Sequence, residues 1–240
     1  LPEKETGVIR SFEAVRLFLE RAGRARPGFT VTAETVGSIA RICQLVDGLP
    51  LGIELAAASL EHRSCQQVAQ AIQEGLEVLA APMHDVPPRQ RSIRTAFEQS
   101  WRLLTEGERE TFRRLSVFPD SFSPQAAQAV VRAAGGEEEG RHSGMLPLEG
   151  LVDKSLLGPA PTAGRADGLR YQLHPLLRRY AAEKLAEHPE EEAAARRRHA
   201  RFYLTFLQEK EQVIAGEHAQ TALDAIQLEL SNVRTALAQD

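Results

Sequence analysis

The chain has 240 residues, with 29 Lys and Arg against 33 Asp and Glu, so its net charge is −4. That balance gives no global pull toward nucleic acid or anionic lipid, and no apolar run approaches the roughly 18 residues that a membrane-spanning helix needs. Two cysteines, Cys43 and Cys65, do not make a disulfide framework and suit a reduced, cytoplasmic setting. Residues 1–10, polar and without a signal sequence, read as a linker entering from something upstream. Ser11 is then an N-cap for a helix from Phe12 to about Ala22, with Ala14, Val15, Phe18 and Leu19 on one face. After a turn holding Pro27 and Gly28, Thr32 caps a second helix with Thr35 three residues on. Asp47-Gly48 ends that helix, because glycine takes the left-handed conformation a helix C-terminus needs. Pro50 opens the next one, where a missing N–H does no harm. From Leu51 to Leu60 nearly every side is apolar, so this helix is expected in the core, with Glu54 needing a partner or an edge. Ser64 caps a fourth helix carrying Val68, Ala69, Ile72 and Leu76. Pro82, Pro87 and Pro88 mark the loop Ala80–Pro88 as a boundary and a candidate hinge.

A second domain begins at Ser92, with Ile93, Ala96, Phe97, Trp101 and Leu104 on one helical face. Thr105 and Glu108 have capping-box spacing and start a helix with Phe112, Leu115 and Val117. Ser123-Pro124 opens a third helix, and the glutamate- and glycine-rich stretch Gly135–Gly144 is expected to be a loop. A short helix at Leu146–Leu151 follows. Lys154–Leu157 and Leu169–Leu173 read as two strands around the loop Pro159–Gly168. Three helices followed by a two-stranded ribbon is the order of a winged helix. Pro175 opens a helix to about Glu187. Beyond Pro189, which with Glu190–Glu192 is a second candidate hinge, Ala200, Tyr203, Leu204 and Leu207 mark a buried face. Gly216 breaks that helix. A last helix carries Leu223, Ile226, Leu230, Val233 and Leu237, a stripe that calls for another helix. The expected fold is mainly α. Residues 11–86 form a four-helix lid domain and residues 87–188 a winged-helix domain with a small β-ribbon. Residues 189–240 form a helical hairpin leading into a TPR-like repeat array.

The chain carries no Walker A loop, no G-x-G-x-x-G, no H-E-x-x-H and no paired Cys-x-x-Cys. Its seven histidines are scattered without metal-ligand spacing, so no metal site and no catalytic group is predicted. Direct DNA binding also finds little support. The Pro124–Ala134 helix offers only Arg132, and the next helix offers Lys154 beside Glu149 and Asp153. A recognition helix presents several basic or amide side chains to base edges.

The segments GLPLGIELAAA at 48–58, RQRSIRTAFEQSW at 89–101, FRRLSVF at 112–118 and LVDKSLL at 151–157 together resemble one family. It is the signal-transduction ATPases with numerous domains, and within it the NB-ARC and AfsR/LuxR-type branch of bacterial regulators. The resemblance implies a P-loop nucleotide-binding domain upstream, which would hold ADP or ATP with Mg. It further implies that Gly48, Leu49 and Pro50 are the G-x-P motif, whose proline packs on adenine. Leu173-His174-Pro175 falls at the M-H-D motif, whose histidine meets the β-phosphate of ADP. Leucine stands in the methionine slot; proline stands in the aspartate slot, so the motif's helix-capping part is expected to be lost. Met83-His84-Asp85 spells the motif literally but precedes the ribbon, and is read as coincidence. Arg89, Arg91 and Arg94 could face the phosphates. The implied function is the regulatory half of a nucleotide-operated switch, part of a bacterial transcriptional regulator. Its partners would be its own upstream domain, an inducer on the helical repeats and further copies of itself on activation. The alternatives are a winged-helix DNA-binding transcription factor and a helical interaction scaffold.

Overall fold

Three helices begin with reciprocal capping boxes in the computed structural model, which describes residues 3–80, 92–132, 148–160, 169–214 and 219–238. Thr32 exchanges hydrogen bonds with Thr35, Ser64 with Gln67, and Thr105 with Glu108. Each satisfies two donors that a helix start leaves open, contributing about 1 kcal/mol. Ser92 and Ser123 cap two more starts through single bonds to the N–H groups of Arg94 and Ala126. The fold is mainly α, with one two-stranded antiparallel ribbon. It divides into two compact units, Leu1–Leu103 and Leu104–Asp240.

The first unit holds α1 (Glu3–Ala25), α2 (Ala33–Leu45), α3 (Pro50–Ala58), α4 (Cys65–Glu74) and α5 (Ile93–Arg102). α1 packs on α2 and α3, and α2 packs on α4. Phe18, Ile42, Ile53, Leu60, Ile72 and Leu79 are fully buried. α1 begins at Glu3, so Ser11 lies inside the helix and is not its cap. No proline stops the helix in Glu3–Arg10, and the single Gly7 costs only about 1 kcal/mol. The glycine stop after α2 forms as read. Asp47 and Gly48 both take positive φ, 47° and 69°, and the Gly48 N–H reaches back 3.0 Å to the Cys43 carbonyl. α3 buries Gly52, Ile53, Leu55, Ala56 and Ala57, and Glu54 pairs with Arg21 of α1 at 2.9 Å. Leu60 is buried from a 3-10 turn, Ser59–Glu61, rather than from α3 itself. The Ile93 N–H donates to Leu79 O at 3.1 Å, which ties the start of α5 to this unit. α5 carries Trp101, the one tryptophan of the chain.

The second unit holds α6 (Glu106–Leu115), α7 (Pro124–Val131), α8 (Leu148–Asp153), β1 (Gly158–Pro159), β2 (Tyr171–Gln172), α9 (Pro175–Ala186), α10 (Pro189–Ile214), α11 (Ala219–Leu228) and α12 (Leu230–Leu237). α6 packs on α7, α8 and α9, while α10 packs on α7, α9, α11 and α12. Gly158 faces Gln172 and Pro159 faces Tyr171 in the ribbon. Tyr171 also exchanges two 2.9 Å backbone hydrogen bonds with Phe122. Phe118 and Phe122 stack at 4.3 Å beneath. All three tyrosines, Tyr171, Tyr180 and Tyr203, belong to this unit.

Four expectations are corrected here. Lys154–Leu157 is a helix-ending turn, not a strand. Ser155 takes φ 56°, and the N–H groups of Leu156 and Leu157 both donate to Leu151 O, the way left-handed residues close helices. Pro189–Glu192 is the first turn of α10 and is held rather than hinged. Glu191 there bonds Arg113 at 2.8 Å and Arg114 at 2.6 Å. The buried stripe of α10 is Ala195, His199 and Tyr203, spaced four apart, while Ala200, Leu204 and Leu207 are only half-buried. The last helix is two, broken at Glu229. Ala222, Glu229, Asn232, Val233 and Ala236 face inward. Leu223, Leu230 and Leu237 stay 48%, 38% and 53% exposed, because two polar residues take the inward positions. Met83-His84-Asp85, Arg89, Arg91, Gly135–Gly144, Gly216 and most of Ala80–Pro88 lie outside the described residues.

Candidate functional site

The residues expected to meet nucleotide fall on both units, and each group is described within its own. In the first unit, the left-handed pair Asp47-Gly48 throws the chain from α2 into α3, with Leu49 as N-cap and Pro50 at the first helical position. Pro50 is exposed, so its rigid ring stands free to meet a flat apolar surface. Gly52 follows it, and a Cβ there would lie 3.0 Å from Val46 Cβ and 3.4 Å from Ile93 Cδ1. The bare backbone of α3 therefore lets Ile93 close on it, which brings the G-x-P turn and the start of α5 side by side. Arg94, one residue on, sets its guanidinium 3.3 Å from Glu77.

In the second unit, His174 sits between β2 and α9 and is the N-cap of that helix. Its Nδ1 accepts the Leu176 N–H at 3.2 Å. An imidazole nitrogen that accepts carries no proton, so the neutral ring bears its proton on Nε2. The helix cap expected to vanish with proline at position 175 is thus supplied by the histidine. Pro175 fits the first helical position that its ring favours. The result is an imidazole held at the positive end of a 12-residue helix.

Sequence reasoning missed a buried polar node in the same unit. Glu229, between α11 and α12, accepts from Arg170 at 2.5 Å, from Tyr203 Oη at 3.1 Å and from Asn232 Nδ2 at 2.7 Å. Arg170 also donates to the Ser121 carbonyl at 2.9 Å and to the Ser121 hydroxyl at 3.2 Å, and Asn232 joins it on that carbonyl at 2.9 Å. Arg170, Glu229 and Asn232 are 5%, 7% and 0% exposed. Burial and the adjoining Glu229 carboxylate push the Tyr203 phenol above its usual range. Beside them His199 is fully buried, edge-on to Phe118 at 5.1 Å, and burial drops its pKa to about 4. The signal was present in the spacing of IQLELSNV at 226–233: Glu229 and Asn232, three residues apart, share a face with Val233 and Ala236. A reading that follows leucines alone passes over them.

Other chemistry is structural. Lys154 is engaged by Glu108. Burial opposes ionisation of Glu108, but Lys154 and Thr105 outweigh it and hold the carboxyl below the usual range. Cys43 and Cys65 are free and buried, and burial pushes the Cys43 thiol to about 11, where it is unreactive at neutral pH. Among the described residues, no group of three or more His, Cys, Asp or Glu could hold a metal ion. No described helix is long and apolar enough to cross a membrane.

No family model matches the chain. Over 226 residues it is 36% identical to a protein of Mycobacterium bovis (strain ATCC BAA-935 / AF2122/97) named "Putative HTH-type transcriptional regulator". A protein of the same description from Mycobacterium tuberculosis (strain CDC 1551 / Oshkosh) matches equally. These alignments cover 94% of this chain and 25% of each relative. An "Uncharacterized protein" of Mycobacterium tuberculosis (strain ATCC 25618 / H37Rv) is 31% identical over 202 residues, covering 84% of this chain and 49% of that protein. The chain therefore spans between a quarter and about half the length of these curated relatives.

Proposed function

We propose that this chain is the regulatory portion of a bacterial transcriptional regulator that works as a nucleotide-operated switch. In this reading the five helices of the first unit are a lid, α6–α9 with the ribbon are a winged helix, and α10–α12 begin a helical repeat array. ADP or ATP is held by an upstream P-loop domain. Pro50 offers its ring to the base, and His174 offers its Nε2–H to a phosphate. Arg94 is a further candidate for the phosphates, in competition with Glu77. The closed arrangement binds ADP better than the open one, and that difference in affinity is what lets nucleotide bias the switch. Opening frees surfaces for self-association.

The observation that carries the reading is the place of His174: it joins β2 to α9, with its Nδ1 accepting the Leu176 N–H at the N-terminus of that helix. Such termini are ready sites for phosphate. The naming of the relatives supports a role in transcription. The protein carrying its upstream sequence is purified, denatured and assayed for released ADP. Wild type should release close to one ADP per chain, and His174→Ala at least about tenfold less, the order expected when a charge-assisted hydrogen bond of about 1.5–3 kcal/mol is lost. Equal release from both would overturn the reading.

The second reading, a helix-turn-helix DNA binder, takes support from the same naming. Against it stands Lys154, the cation beside α8, which is spent on Glu108 while Glu149 and Asp153 flank it. A salt-sensitive shift of duplex DNA by the second unit would favour that reading.

A further inference from the structure

Arg170, one member of the node at Glu229, lies four residues of chain before His174, through a single strand. Arg170 precedes β2, and β2 leads by Leu173 into the histidine. On one side Arg170 is fixed to Ser121 and to Glu229; on the other, Tyr171 is locked in a two-way backbone pair with Phe122, the residue after Ser121. Glu229 in turn is fixed by Tyr203 of α10 and Asn232 of α12. The carboxylate therefore gathers one group from the ribbon, one from α10 and one from α12. A buried arginine cannot shed its carboxylate without leaving an uncompensated charge, so the four groups shift together or not at all.

We propose that Glu229 is a positioning residue that couples the C-terminal helices to His174. The carboxylate sets where Arg170 stands, Arg170 sets the register and depth of β2, and β2 delivers the imidazole that caps α9. A displacement of α10–α12, such as a ligand on these helices would cause, is passed to the histidine through this rigid link rather than through the apolar core. The purpose given to the link, control of a phosphate contact, rests on the function proposed above; the link itself does not.

The 240-residue chain tests it without nucleotide. Amide exchange is followed at Leu176, whose N–H is held by His174, and at Tyr171. The tautomer of His174 is followed by the shifts of its ring nitrogens. Glu229→Ala should speed exchange at both amides by about tenfold or more relative to Leu115, and should move the His174 ring signals toward a mixed tautomer. Val233→Ala, which removes buried apolar volume from the same helix outside the node, should leave the His174 signals in place. Because Glu229→Ala strands a buried arginine and could unfold the unit, the charge-free pair Arg170→Met with Glu229→Leu is measured beside it. That pair removes the link without stranding a charge, so it should alter the His174 signals in a unit that stays folded. Unchanged His174 signals and Leu176 exchange in the charge-free pair would overturn the proposal, even if α10–α12 exchange faster. Loss of the nucleotide reading would show instead as no ADP release from wild type, with these exchange effects intact.

Discussion

His199 is buried with neither ring nitrogen in a hydrogen bond of good geometry, and this gives the protein a pH dependence of known sign. Its folded pKa of about 4 lies below the ordinary 6.5. Burial is the main cause, with Arg196 adding to it and Asn232 and Glu229 opposing it. As pH falls through 6.5 the unfolded chain takes up a proton that the folded chain refuses, so stability falls progressively toward pH 4. The full span is worth about 3 kcal/mol, at about 1.4 kcal/mol per pH unit. The lowered carboxyls of Glu108 and Glu191 stabilise the fold too, but their contribution begins to be lost only below about their ordinary 4.5. Between pH 6.5 and 4.5 the contribution of His199 is thus separated from theirs. Urea midpoints should drop from pH 7 to pH 5 in wild type and drop less steeply in His199→Phe; an equally steep variant would refute the assignment. Nothing in RRRHARFY marks this histidine as buried. The run reads as a solvated basic face, and only the four-residue spacing from Ala195 to Tyr203 places it inside. The polar node was hidden for the same reason: its partners come from Ser121, Arg170, Tyr203 and Glu229, far apart in the chain.

Single elements were far more legible, because their ends are decided by local rules. Caps at Thr32, Ser64, Thr105 and Ser123, the Asp47-Gly48 stop and the two helix-opening prolines, Pro50 and Pro175, stand where turn and cap chemistry puts them; Ser11 alone, inside α1, does not cap. Misreadings came where a local apolar run had two uses. Leu156 and Leu157 look like strand residues, yet they finish α8; Leu230 and Leu237 look like core, yet Glu229 and Asn232 displace them. Glycine inside a helix separates packing from propensity. Gly37 of α2 has open space where a Cβ would go, whereas Gly52 of α3 has Val46 Cβ at 3.0 Å. Gly37→Ala should stabilise the first unit by up to about 1 kcal/mol, the propensity gain alone. Gly52→Ala should destabilise it by about 1 kcal/mol net, since overpacking costs roughly 1–3 kcal/mol and Val46 Cβ, fixed to the backbone, cannot rotate away. Thermal melts of the two variants should move in opposite directions.

At the scale of the whole molecule, the mainly helical character of the chain follows from the period of the apolar pattern and from composition. The tertiary contacts that carry the proposed function do not. The clasp of Glu191 on Arg113 and Arg114 is the clearest case: the sequence shows an acidic first turn suited to a helix dipole, while the structure uses it to fasten α10 to α6. That fastening predicts that residues 104–240, prepared alone, unfold in one cooperative step by circular dichroism, with α10–α12 melting together with α6–α9. Two separated steps would mean that α10–α12 are an independent body. The placement of the aromatic residues makes a further comparison simple. Trp101 lies in the first unit and Tyr171, Tyr180 and Tyr203 in the second, so each half of the chain carries its own intrinsic fluorophore. Red-edge excitation isolates the indole and reports on the first half. Phenol emission reports on the second. One unlabelled sample in one denaturant series then yields two independent optical records, and their superposition or offset tells whether the halves lose structure as one or in turn.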